Sequence, residues 1–326
     1  MNQIPVTLLT GFLGAGKTTL LNRLLREPEM AGTAVLINEF GEIGLDHLLV
    51  ERLDEDTVLL AAGCLCCTIR GDLSRALRDL AQRPHPIARV VIETTGLADP
   101  APILQTLMGD PLLLRDYRLD GVVTLVDAVH GMATLDDQPE ALRQAAVADR
   151  LVITKTDLAD PTALRARLAA LNPMAPILTG EVPAAQLINA GPFSADGKLP
   201  QITDWIAAAA HHHHHHHHDV NRHDARIRAL CLRFEAPLPW EGLASYLEMM
   251  AMTQGAHVLR MKAVLNLVGQ RGPVVMHGVQ HSFHPPRMLE SWPEGDDQSS
   301  RLVFILRDLE PRVVEEGLRA FLEAAE

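Results

Sequence analysis

Gly11-Phe12-Leu13-Gly14-Ala15-Gly16-Lys17-Thr18 follows the strand pattern Ile4–Thr10 and opens the helical stretch Thr18–Arg26. The spacing is GxxxxGK[ST]. Its glycines let backbone N–H groups turn inward around phosphate oxygens, and the helix that follows adds the positive end of its dipole. Lys17 is placed to bridge β- and γ-phosphates, and the Thr18 hydroxyl to hold Mg²⁺. Gly11, Gly14, Ala15, Gly16, Lys17, Thr18 and Thr19 are therefore candidate nucleotide-binding residues. A chance glycine-rich turn is the alternative, and the strand before and helix after weigh against it.

Outward from this loop, apolar runs continue at Thr33–Asn38, Ile87–Glu93, Gly121–Val126 and Leu151–Thr154, alternating with helical stretches Leu73–Gln82, Glu140–Ala148 and Ala163–Leu171. Strands apolar on both faces, joined by helix-length crossovers, predict an α/β fold: a doubly wound, mainly parallel sheet of the P-loop NTPase type. Pro and Gly become frequent from Asn172 to Pro200, and Trp205–Ala210 leads into eight consecutive histidines. Beyond them, Arg226–Phe234, Ala256–Val268, Pro273–Ser282 and Arg301–Leu306 read as strands, and Trp240–Met252 and the segment from Pro311 as helices. Val314, Leu318, Phe321 and Leu322 share one face of the closing helix. The expected domains are a nucleotide-binding unit over 1–205, a His-rich linker over 206–225 and a smaller α+β unit over 226–326.

The 326 residues carry 29 basic and 41 acidic side chains, a formal charge of −12, with 47% hydrophobic residues. That composition excludes a mostly disordered chain, and the acidic balance disfavours broad binding to nucleic acid or anionic membranes. With no membrane-length apolar run and no basic leader ahead of Ile4, a cytoplasmic protein is expected.

Base choice is read from Thr154-Lys155-Thr156-Asp157, a variant of NKxD. The Asp157 carboxylate can accept from guanine N1–H and the 2-amino group, which adenine lacks. Thr154 stands where Asn is more familiar, so either a base contact or a loop-bracing contact is altered. Glu93 ends a buried strand at its carboxyl edge, where such sheets place ligands, and can reach Mg²⁺ or its waters. Gly96, in Glu93-Thr94-Thr95-Gly96, lets the next loop approach a γ-phosphate. The alternative for Glu93 is capping of a helix that begins near Asp99. Glu39, Glu42 and Asp46, in Asn38–Asp46, are candidate catalytic carboxylates, with a solvated acidic turn as the alternative. Lys17, Thr18, Glu39, Glu42 and Glu93 form the candidate catalytic set.

Of four cysteines, Cys64, Cys66 and Cys67 fall in one window, too lopsided for a disulfide framework. Alternate residues of an extended segment share a face, so Cys64 and Cys66 can converge on Zn²⁺, Co²⁺ or Cu⁺. The sequence offers no second cysteine pair to close a structural zinc site, and an open sphere suits a metal that is handed on. Small buried residues or a redox pair are the alternatives. His211, His212, His213, His214, His215, His216, His217 and His218 can capture or buffer metal, or simply form a solvated linker or a tag. Cys231 reads as core, and Met249, Met250 and Met252 as core filling. His277 and His281 are four apart and His284 is close behind, more often a satisfied or surface arrangement than a ligand set.

GFLGAGKTTLLN, INEFGEIGLD, GCLCC, VVIETTG, LDGVVTLVDAVH, TKTD, the Arg260-Met261-Lys262 strand and the inter-domain His tract together resemble the CobW/YjiA family of GTPases. This family is related to the hydrogenase and urease metal chaperones, and the resemblance, which spans nearly the whole chain, is closest to the YjiA branch. It implies a SIMIBI-class P-loop domain and slow, Mg²⁺-dependent GTP hydrolysis. It also implies Zn²⁺ or Co²⁺ at CxCC, transfer of that metal to a client metalloprotein, and room for a metal- or nucleotide-dependent homo-oligomer. Mg²⁺-GTP is then expected to order Asn38–Asp46 and Glu93–Gly96 and to bring the thiolates into binding geometry. The rival classes are an ordinary P-loop ATPase or kinase with structural cysteines, and a passive His/Cys metal buffer.

Overall fold

The computed structural model describes residues 3–38, 58–62, 69–83, 86–188, 226–293 and 295–325. The chain divides into two compact units. The first is built on a parallel seven-stranded sheet in the order β3-β2-β4-β1-β5-β6-β7. Its strands are β1 (Ile4–Gly11), β2 (Thr33–Asn38), β3 (Val58–Ala62), β4 (Arg89–Glu93), β5 (Tyr117–Asp127), β6 (Arg150–Thr154) and β7 (Ile177–Thr179). The sequence pattern finds five of these and passes over the short edge strands β3 and β7. β7 and a short helix, α8 (Ala184–Leu187), lie inside the stretch from Asn172 to Pro200 where Pro and Gly are frequent.

β1 sits between β4 and β5, paired in parallel with both. Its Val6, Leu8 and Leu9 are buried, as a strand covered on two faces requires. One face packs Leu9, Val35, Val91, Val123 and Val152 against Leu20, Leu21 and Leu24 of α1 (Lys17–Leu24). The other crossover helices are α2 (Ile69–Ala81), α3 (Ala101–Gly109), α4 (Leu113–Asp116), α5 (Gly131–Asp137), α6 (Pro139–Ala146) and α7 (Thr162–Leu171). Because all seven strands run parallel, their carboxyl ends lie at one edge of the sheet.

The β1–β5 register skips a residue: Val6 pairs with Leu119 and Thr7 with Gly121. The bulged residue is Asp120, fully buried, whose carboxylate accepts from Arg89 at 2.5 Å, Arg118 at 3.2 Å and Thr7 Oγ1 at 3.1 Å. A buried carboxylate is tolerable only with such partners.

The second unit is an antiparallel sheet, β11-β10-β9-β13-β8, with β12 beside β10. Its strands are β8 (Ile227–Phe234), β9 (Val258–Leu265), β10 (Val274–Val279), β11 (Ser282–Phe283), β12 (Arg287–Met288) and β13 (Ser300–Arg307). The helices α9 (Trp240–Gln254) and α10 (Pro311–Glu323) cover one face. Tyr246, Leu247, Met250, Val314, Leu318 and Leu322 pack there on Leu232, Met261, Phe304 and Leu306. The helices cross closely because position 242 is glycine: a Cβ there would stand 2.5 Å from the Phe321 carbonyl oxygen. The opposite face carries Arg260, Lys262 and His277, all buried.

Replacing Asp120 by Ala leaves two arginines buried without their carboxylate and is expected to cost about 3–5 kcal/mol of stability, read as a lowered denaturant midpoint.

Candidate functional site

β1 ends at Gly11, whose φ is +144° and whose Cβ, if present, would lie 2.5 Å from the Leu125 carbonyl oxygen of β5. No side chain fits, so glycine is required where the strand gives way to the loop. Gly14 (φ +73°) and Gly16 (φ +91°) take left-handed conformations, and the Ala15 N–H closes the turn on Phe12 O at 3.1 Å. Gly16 is the N-cap of α1 and no side chain caps that helix, so its first-turn N–H groups form the donor cradle that a phosphate accepts. The Lys17 ammonium donates to Gly11 O at 3.0 Å and Phe12 O at 3.3 Å, which holds it over the loop. Thr19 is exposed in the same turn.

The Thr18 hydroxyl donates to Glu93 Oε1 at 2.7 Å, joining the loop to the end of β4. A hydroxyl and a carboxylate meeting beside a phosphate cradle are the hard oxygen donors that suit Mg²⁺. Glu93 does not cap the helix that follows, whose N-cap is Pro100 with no side-chain cap bond; Asp99, just before it, accepts from the Ala101 N–H at 2.9 Å. After Glu93, the Thr94 N–H bonds Leu9 O and its hydroxyl bonds Thr10 Oγ1 at 2.8 Å. Gly96 then touches the P-loop backbone, where a Cβ would lie 2.5 Å from Leu13 N.

Thr154 donates through Oγ1 to Ala15 O at 2.9 Å. Thr154 thus supplies a brace on the phosphate loop. Lys155 takes a left-handed backbone (φ +55°), and its ammonium pairs with Asp127 at the end of β5. Asp157 follows in the same turn, exposed. Burial pushes the Asp127 carboxyl up, but the Lys155 bond and the N–H groups of Val129 and His130 outweigh it and hold the value below normal.

Two residues of this site are not singled out by the sequence. Asp127 is visible only once β5 is seen to run on to it. Gln144 of α6 is fully buried and donates from Nε2 to Gly96 O and Ala98 O, each at 3.0 Å. A small cleft beside the P-loop is lined by residues including Phe12, Ala15, Asp127, Thr134 and Gln144.

Cys64, Cys66, Cys67, Glu39, Glu42, Asp46 and His211–His218 lie outside the described residues. Among the described residues no group of three or more His, Cys, Asp or Glu is placed to hold a metal ion. Cys231 lies on the sheet face opposite the helix-covered core, and burial pushes its thiol up to about 11. The tight turn at Gln280 and His281 reverses the chain, so His277 meets His284 (ring centroids 4.8 Å apart) rather than His281, whose Nδ1 bonds Ala251 O. Met250 is core, but Met252 is 79% exposed.

Residues 5–179 match the family model described as CobW/HypB/UreG, nucleotide-binding domain, and residues 227–322 match the cobalamin synthesis protein CobW C-terminal domain. The chain belongs to the CobW/HypB/UreG family. It is 34% identical to the zinc chaperone YjiA of Escherichia coli over 98% of this chain and 100% of that one. It is 30% identical to the zinc chaperone CobW of Pseudomonas aeruginosa, over 98% of this chain and 92% of that one. The crystal structure of Zn(II)-bound YjiA GTPase from E. coli superposes with a TM-score of 0.72 at 29% identity, covering 98% of this chain and 99% of that one. The family's nucleotide-binding segment contains the whole of the P-loop, Glu93, Gly96 and TKTD geometry described above. No described helix is long and apolar enough to cross a membrane.

Thr154→Val removes one neutral hydrogen bond from the loop and is expected to weaken GDP binding by about 1 kcal/mol, roughly fivefold, in a calorimetric titration. The depressed Asp127 value means its ionised form stabilises the fold above the ordinary carboxylate range, a contribution lost as pH falls through the depressed value. Asp127→Asn should accordingly destabilise the chain at neutral pH and differ less from the parent in acid, as judged by unfolding midpoints at the two pH values.

Proposed function

We propose that this chain is a GTP-dependent zinc chaperone: a GTPase that binds Zn²⁺ as cargo at Cys64, Cys66 and Cys67 and gives it up to a client metalloprotein on hydrolysis. The observation that carries the nucleotide part is the bond from Thr154 to Ala15, which fastens the base-reading turn to the phosphate loop. Phosphates and a guanine can then be held on one edge of one sheet. Relatives named zinc chaperones, matched over nearly the full length, support the cargo.

In this reading the first-turn N–H groups of α1 and the Lys17 ammonium bind and neutralise the phosphates, and Asp157 accepts from the guanine edge. Thr18 and Glu93 would hold Mg²⁺, which supplies further charge neutralisation when bound. Gly96 brings the loop after β4 against the P-loop, so that this segment can answer to the γ-phosphate. Glu39 or Glu42 is the carboxylate assigned to the attacking water.

Coupling to the cargo follows from the sheet. β2 and β3 are parallel neighbours whose last residues, Asn38 and Ala62, are paired at the same edge as the P-loop. Asn38–Asp46 and Cys64–Cys67 follow these two strand ends in sequence. On this reading nucleotide and metal are coupled, and a coupling of about 1–3 kcal/mol between them changes either affinity some 5- to 150-fold. His211–His218 serve to capture metal, and Co²⁺ is the other ion the thiolates suit.

The test is a chelator-competition titration of Zn²⁺ with Mg²⁺-GTP, Mg²⁺-GDP or no nucleotide, on a chain lacking His211–His218 and on its Cys64→Ser/Cys66→Ser variant. GTP should raise zinc affinity within that 5- to 150-fold range, and the gain should vanish in the cysteine variant; equal affinities in all three states would falsify the switch. Asp157→Ala should weaken GTP and GDP by about 10- to 100-fold, the loss of hydrogen bonds to a charged acceptor, with ATP binding unchanged.

A further inference from the structure

The loop after β4 is fastened at both ends. Thr94 ties its start to β1, and Gln144 ties its end to α6. The Gln144 amide uses its nitrogen for both carbonyls, Gly96 O and Ala98 O. The opposite amide orientation would set an acceptor against two acceptors, so the bonding fixes the assignment. Its Oε1 meets no donor among the described residues. Two further bonds hold the amide and its loop in place. The Thr124 hydroxyl of β5 donates to the Gln144 backbone oxygen at 2.8 Å, and Arg143 pairs with Asp99 at 2.9 Å. Between the anchors, the Ala98 N–H closes a turn on Thr95 O at 3.2 Å, and Gly96 rests on the Leu13 backbone.

We infer that Gln144 is a positioning residue for GTP hydrolysis, holding the Gly96–Ala98 carbonyls so that the segment after Glu93 stays against the phosphate loop. The inference rests on the proposed GTPase reading and adds to it a residue that acts through the loop after β4. A buried amide with two donors satisfies two carbonyls that no apolar side chain of the same length can satisfy. Small losses of alignment in such a segment lower the rate of the chemical step more than ground-state binding.

The experiment measures steady-state GTPase kinetics, GDP affinity and unfolding midpoints for the full chain and for Gln144→Met, Gly96→Ala and Asp120→Asn, the last reporting the effect of lost stability alone. Gln144→Met keeps the length and removes both donors. Its kcat is expected to fall about 10- to 100-fold, with KM and GDP affinity within about threefold of the parent. Should Gln144→Met fail to fold, Gln144→Glu serves. Only its protonated carboxyl can donate, so its rate relative to the parent should rise as pH falls.

A Gln144→Met rate within about twofold of the parent, beside a crippled Gly96→Ala, would overturn the role of Gln144 and leave the GTPase reading standing. Parallel loss of kcat and GDP affinity, matched by Asp120→Asn, would reduce Gln144 to a structural residue. If Gly96→Ala hydrolyses GTP at the parental rate, the reading of this loop as responsive to GTP fails, and the inference falls with it. A Gln144→Glu pH profile parallel to the parent's would also overturn it.

Discussion

The backbone approach between Gly11 and Leu125 is the constraint on which the first unit turns. With β1 held between β4 and β5, its end has no space for a Cβ, and the chain must leave the sheet there as a glycine loop. The neighbouring features of the edge then refer to that loop. Thr18 reaches Glu93, Leu13 receives Gly96, and Ala15 accepts from Thr154. Two strand ends far apart in sequence, those of β4 and β6, meet on the loop that ends β1 because a parallel sheet sends its carboxyl ends the same way.

Local signals made much of this legible. The P-loop declares itself by glycine spacing, and β2, β4 and β6 by runs of β-branched residues. What escaped reading depends on distant partners. β7 is a three-residue edge strand defined by its pairing with β6 rather than by its own pattern. β5 runs four residues beyond its expected start at Gly121, because Asp120 reads as a loop acid until Arg89 and Arg118 are brought to it. Gln144 looks like the solvent face of an amphipathic helix, and only the carbonyls of the loop after β4 explain its burial. The brace that Thr154 makes is visible only once Ala15 is brought to it.

The second unit follows different rules. Its sheet is antiparallel, its core lies on one face under two helices, and Gly242 lets those helices cross at backbone distance. The register sets His277, Lys262, Val303 and Cys231 in one row across four strands on the other face. Simple alternation carries that layout, and the hairpin at Gln280 is where it misled: chain reversal exchanges His281 for His284 as the neighbour of His277.

Cys231 has a practical side. With its thiol pushed up to about 11, it is almost wholly protonated at neutral pH, and a protonated thiol is neither a good nucleophile nor a good ligand for a soft cation. The chain therefore contains its own silent cysteine. An alkylating reagent used briefly at neutral pH is slower at this position than at a thiol of ordinary acidity. On the proposed chaperone reading, zinc bound at Cys64, Cys66 and Cys67 would hide those sulfurs from the reagent and so make cargo occupancy readable by mass.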